Sequence, residues 1–208
     1  MGEAENCHRE DRAPAPEFTD SNPRPHHLGE NGDMIPIGDA APPTCSQCGR
    51  RHVDVEQVLG ASAPDDWLTL SRGERLEAEL TPDICIFTDS GRTRHFVRGH
   101  VQLPLVEGGD PPVFVWSVWV ELDESSMELV ARSWSNPNRA AIPPIEGRLA
   151  NELPYEQPTR GLGITVHTRD PGMAPLLMVS EEHTLAAEQR EGISIHRLAQ
   201  LGARLQRQ

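Results

Sequence analysis

The densest group of chemistry-bearing side chains is Cys45-Ser46-Gln47-Cys48-Gly49, with His52 four residues past the second cysteine. Two cysteines at this spacing let both thiolates face one cation. The glycine that follows permits a tight turn whose backbone N–H groups point at the sulfurs. Zinc takes four ligands. The chain holds no second Cys-x-x-Cys, which leaves His52 and Cys85 to complete a shell, with His95, His100 and Cys7 more remote. Cys45, Cys48, His52 and Cys85 are therefore the candidate metal ligands, and zinc is the candidate cofactor. Two other readings of the pair stay open. One is a vestigial or merely reduced knuckle. The other is a thioredoxin-like redox pair, which wants the motif after a strand and at the opening of a helix. Here it follows a proline-rich stretch and precedes Arg50-Arg51-His52, which carries no helical stripe.

Other catalytic signatures are missing. There is no H-E-x-x-H, no G-x-S-x-G, no G-x-G-x-x-G and no EF-hand loop. All 19 basic residues are arginine, so a lysine Schiff base or a Walker-type phosphate loop cannot form within this chain. A Cys–His nucleophile pair needs only Cys85 and a histidine such as His100. Yet Cys85 sits in Ile84-Cys85-Ile86-Phe87, where a small buried residue is expected. Arg98, His100 and Gln102 share one face of an alternating stretch, and His167 with Thr165 shares a face of another. If the two faces coincide they form a polar surface able to take an anion or a peptide. An ordinary solvated sheet face is the competing reading. Trp116, Trp119 and Trp134 read as core.

These side chains need elements to position them. Residues 94–105 alternate, with His95, Val97, Gly99, Val101, Leu103 and Leu105 on one side, after a turn at Asp89-Ser90-Gly91. Residues 113–122 (VFVWSVWVEL) are apolar on both faces and predict a central strand paired antiparallel with the first. Asp123 or Ser125 then caps a helix to about Ser133. A weaker strand is expected at 147–151, another at 159–168 with Leu162, Ile164 and Val166 inward, and a third at 176–179. The chain ends in helices over 183–190 and 194–207, the second with Ile195, Leu198, Leu201 and Leu205 on one stripe. The fold class expected is α+β: a mostly antiparallel central sheet with C-terminal helices packed on one face.

Composition bounds the rest. The 208 residues include 19 prolines and 17 glycines, so long irregular segments are expected. Residues 1–43 carry seven prolines, nine acids and three arginines, and read as a disordered acidic tail. The pairs Cys7–His8 and His26–His27 within it read as incidental. Residues 44–208 form a single α+β domain that opens with the knuckle. A net charge of −13 offers no basic stripe and would repel a phosphate backbone, which argues against nucleic acid. It suits a basic protein partner, though solubility is the commoner explanation of such a charge. No apolar run approaches a membrane span, and no signal-peptide core follows the N-terminus, so a cytoplasmic protein without membrane contact is expected.

Several segments, taken in order, resemble a bacterial family known as domain of unknown function 2199. They are Cys45, Cys48, Gly49 and His52; Asp83 and Cys85; Phe96-Val97-Arg98-Gly99 with Leu103-Pro104; and Trp116 with Trp119. Gly147, Leu149, Asn151, Leu153, Pro154 and Tyr155 follow, and then His183, Leu185, Ala186, Glu188, Gln189, Gly192 and Ile193. The resemblance spans about 44–203. It implies no activity, substrate or catalytic residue, and makes the cysteine knuckle a family feature. The functional expectation is a small binding or interaction module stabilised by a zinc knuckle, using its sheet face for a protein partner. The alternative is a zinc- or Cys85/His100-dependent hydrolase or transferase.

Overall fold

The computed structural model describes residues 47–49, 58–106 and 113–207. All of these fall within one compact unit, Pro42–Gln208. The expected tail at 1–43, Cys45 and His52 lie outside the described residues.

Two long strands organise the domain. β4 (Arg92–Pro104) and β5 (Val113–Leu122) pair antiparallel from His95↔Leu122 to Pro104↔Val113. Each is longer than its remaining neighbours, so its second edge is shared by two strands. The far edge of β4 takes β3 (Ile84–Asp89) along its first half and β8 (Leu176–Val179) at His100. The far edge of β5 takes β1 (Val58–Gly60), then β6 (Ile145–Leu149). β7 (Gly163–His167) bridges β6 and β8. The ring β4–β5–β6–β7–β8 thereby closes into a five-stranded barrel, with β1, β3 and the short β2 (Glu79–Leu80) as extensions.

The expected mostly antiparallel central sheet is met in part. Antiparallel pairs predominate, but β1–β5 and β4–β8 are parallel, and the β4–β8 pairing closes the ring. Two glycines permit closure. A Cβ at Gly99 would stand 2.7 Å from the Leu177 side chain, which fills the barrel at that point. A Cβ at Gly147 would meet Val120 Cγ1 at 2.5 Å, where β6 crosses onto β5.

Strand alternation sorts the side chains into two cores. Val97, Val101 and Leu103 of β4 face inward with Phe114, Trp116, Val118 and Val120 of β5, Ile164 and Val166 of β7, and Leu177. Helices α2 (Glu124–Ser133), α3 (Thr184–Glu191) and α4 (Ile195–Leu205) join this core through Met127, Val130, Leu185, Leu198 and Leu201. Within the expected stripe of α4, Ile195 is only half-buried and Leu205 is exposed. Asp123, His183 and Ser194 cap the three helices by accepting backbone N–H groups from Ser126, Leu185 and Arg197. The opposite parity puts Phe96 and Trp119 on the outer wall. There they meet Cys85, Phe87, Leu70 and Ala150 in a second, smaller core, with Trp67 packed against it. Burial of most of Val113–Leu122 follows, with Val113, Val115 and Glu121 half-buried: the barrel fills one side, and the second core covers part of the other.

Candidate functional site

β4 continues along its outer face from Phe96 to Arg98, His100 and Gln102, and these last three leave the cover of the second core. Register then sets what stands beside them. Ser117 of β5 lies opposite His100, and Gly60 of β1 opposite Ser117. On the other side Leu176 of β8 pairs with His100 and, across β8, with His167 of β7. Gly60, Ser117, His100, Leu176 and His167 thus form one row across five strands, all on the outer wall. The two faces singled out from the sequence coincide. His100 and His167 lie two strand spacings apart, about 10 Å between backbones.

Arg98 sits one residue pair along from His100. Its Nε donates to Ser117 Oγ at 2.9 Å, and its backbone N–H donates to the Asp83 carbonyl at 2.8 Å. The corner beyond Leu176 brings in residues that sequence reasoning missed. The His100 backbone N–H donates to the Pro175 carbonyl at 2.9 Å, and Arg169 Nε donates to the neighbouring Ala174 carbonyl at 2.7 Å. Arg139 lies beneath, almost fully buried. It donates to the carbonyls of Trp134 (2.9 Å), Asp170 (3.1 Å), Met173 (2.6 Å) and Arg169, and its guanidinium stacks 4.7 Å from the Trp134 ring centroid. Arg139 therefore fixes the irregular 169–173 segment that carries Arg169. Burial holds His100 below the ordinary imidazole range, and the Arg169 and Arg98 charges push the same way, against a smaller opposing pull from Asp83.

Among the candidate metal ligands, Cys48 is exposed in a turn, and Cys85 is fully buried near the start of β3. Cys85 packs among Phe87, Phe96 and Trp119, and burial pushes its thiol up to about 12. A thiol so placed is a poor nucleophile at neutral pH. Among the described residues no group of three His, Cys, Asp or Glu stands close enough to hold a metal ion.

The polar members of the later motifs build structure. Asn151 accepts the Trp119 backbone N–H at 2.8 Å and donates to the Ala63 carbonyl and to Asp65, tying β5 to the segment after β1. Tyr155 Oη donates to Glu188 at 2.6 Å, and Arg197 reaches the other Glu188 oxygen at 2.9 Å. Burial and the Glu188 carboxylate raise the Tyr155 pKa, so the phenol stays protonated. Gln189 donates to the Leu177 carbonyl and accepts the Val179 N–H, holding β8 against α3. A cleft of about 380 Å³ opens elsewhere on the outer wall, lined by Arg92, Glu121, Asp123, Glu146, Arg148 and Glu181 among others. Two of its acids are paired: Arg148 meets Glu181 at 2.6 Å, and Glu121 takes a two-pronged bond from Arg94.

The chain is thus an α+β protein built on a five-stranded barrel, with a polar outer row flanked by arginines. Residues 44–193 match the family described as uncharacterized protein conserved in bacteria (DUF2199), and the chain belongs to it. The match runs to Ile193, the last residue of the ordered motif set. No match is found among curated proteins or among solved structures. Among the described residues, no helix is long and apolar enough to cross a membrane.

Proposed function

We propose that this protein is a binding module that engages a protein partner through the outer barrel wall at Arg98, His100, Gln102 and His167. The observation that carries this reading is the strand register, which sets His100 and His167 on either side of Leu176 with Arg98 alongside. The face is a wall and not a cavity, which suits a macromolecular surface better than an enclosed substrate. The cleft at Arg148 and Glu181, by contrast, is lined by more acids than arginines, and its Arg148 is already paired with Glu181.

A photo-crosslinking residue placed at Gln102 or His167 tests this in the native host. One discrete adduct from both positions, absent when the probe sits at Glu146, supports the module. No adduct at either position, or the same adducts from Glu146, contradicts it.

Zinc at the knuckle remains part of the proposal. Cys45, Cys48 and His52 would supply three ligands and a stabilising cross-link. The aromatic shell around Cys85 and its raised pKa argue against that residue as the fourth. Metal analysis of protein purified without chelator should give close to one equivalent, lost in Cys48→Ser. A content near zero overturns the zinc reading.

A further inference from the structure

Six of the described arginines are buried or half-buried: Arg94, Arg98, Arg139, Arg169, Arg197 and Arg204. In a chain of net charge −13, carboxylates are plentiful. Arg94 accordingly pairs with Asp66 and Glu121, while Arg197 and Arg204 both hold Glu156. Among the described residues the other three, Arg98, Arg139 and Arg169, make no ion pair, and they are linked around His100. Arg98 bonds Ser117 opposite it, Arg169 bonds Ala174 beside the Pro175 carbonyl that His100 reaches, and Arg139 bonds the Arg169 carbonyl. Partial burial of a guanidinium without a counter-charge is unfavourable, so three such residues in one place need a reason.

Arg139 has a local one, since four carbonyls and the Trp134 face occupy it. Arg98 and Arg169 do not. Arg98 commits Nε to Ser117 and reaches the Pro82 carbonyl only at 3.5 Å; Arg169 commits Nε to Ala174. Their remaining terminal N–H groups have no strong acceptor among the described residues. The rings of His100 and His167 form no hydrogen bond there either. Asp83 and Asp170 are the nearby acids; the first is felt at His100, and neither forms an ion pair.

We infer that this corner is an oxyanion-binding subsite, in which Arg98 and Arg169 donate to the oxygens of a phosphate or carboxylate group flanked by His100 and His167. The inference rests on the recognition face proposed above and names the chemical group that face takes. A guanidinium presents paired N–H donors that match two oxygens of either anion, and it offers no acceptor, so a cationic or purely apolar ligand does not fit. Arg139 is a positioning residue. It holds the 169–173 segment and adds a fixed positive charge behind the subsite without touching the ligand.

Two-dimensional amide and histidine-ring NMR of the full chain tests the assignment, with inorganic phosphate in one arm and a capped acidic tripeptide (acetyl-Asp-Glu-Asp amide) in the other. Saturable shifts at His100, His167 and the 169–173 amides are expected in at least one arm; the arm that saturates first identifies the source of the oxyanion. Arg169→Gln and Arg98→Gln should each weaken binding at least tenfold, and Arg148→Gln at the distant cleft should leave it unchanged. A third arm with uncharged fragments separates the two claims. Fragments that bind this face while neither anion does overturn the oxyanion subsite and leave the binding module standing. No binding to the face in any arm contradicts both. Anion shifts that persist undiminished in Arg98→Gln and Arg169→Gln also overturn the subsite.

Discussion

Cys85 and His100 sit on the same side of adjacent strands, yet their surroundings give them opposite characters. Cys85 is sealed among aromatic rings and kept as a thiol, so native protein should leave it unmodified by iodoacetamide at pH 8 while denatured protein is labelled there. Peptide mapping reads the outcome, and prompt labelling of native Cys85 would place it in an open site. His100 stands half-buried beside two arginines, and its folded pKa lies below the unfolded value of about 6.5. Between those two values the unfolded chain binds the extra proton, so stability is fully present above pH ~6.5 and falls as the pH drops through the folded pKa. His100→Gln should remove that component. The expected result is a smaller loss of Tm between pH 7.5 and 5 in the variant than in the parent; equal losses would show that burial and the two arginines do not depress the His100 pKa on folding. Both residues stand out in the sequence as candidates, and the apolar neighbours of Cys85 predict its burial, but nothing local predicts the surroundings of His100. Parity along β4 predicted which side chains share a face, and could not tell that Phe96 at one end would be covered while His100 stays open.

At the scale of elements, β5 and the segment around Arg139 make the strongest claims. Trp116 is almost wholly buried, edge-on to Phe114 at 4.9 Å between ring centroids. Trp116→Ala should destabilise by about 3–5 kcal/mol in denaturant unfolding; a change under about 1 kcal/mol would contradict its place inside the barrel. Arg139→Met keeps much of the volume but leaves four carbonyl acceptors without their donor. A loss of about 2–4 kcal/mol is expected, together with faster amide exchange at 169–173. Unchanged exchange there would show that the segment holds its shape without Arg139. A sequence reaches these two elements to different depths. An apolar run such as VFVWSVWVEL announces a strand covered on both sides, and Asp123 and Ser194 announce helix starts, because those signals are local. Arg139 and Arg169 lie in irregular segments with no period to read, and their meeting depends on where the strands before and after them land.

The whole molecule shows the same division. Alternation located β4, β7 and β8, but closure of the barrel rests on the parallel contact between β4 and β8, made across more than seventy residues. No local pattern encodes such a contact, so alternation predicts mostly antiparallel strands and says nothing of closure. Closure is also what creates the candidate site, since it carries His167 and Arg169 around to His100 and Arg98. Asn151, Tyr155 and Gln189 hold this closed form together through their hydrogen bonds.

The central claim is that the outer row beside Arg98 and Arg169 is built to receive a negatively charged group. Its most direct test is the pH titration of the His100 and His167 ring resonances, with and without saturating inorganic phosphate or the acidic tripeptide. Without a ligand, His100 should titrate below the ordinary imidazole range, held there by burial and the two arginine charges. With the anion seated between them, its midpoint should rise, because the ligand's negative charge favours the imidazolium. By linkage, the anion should bind more tightly at pH 5.5 than at pH 8. A His100 midpoint that neither ligand moves, with no pH dependence of binding, would contradict the account.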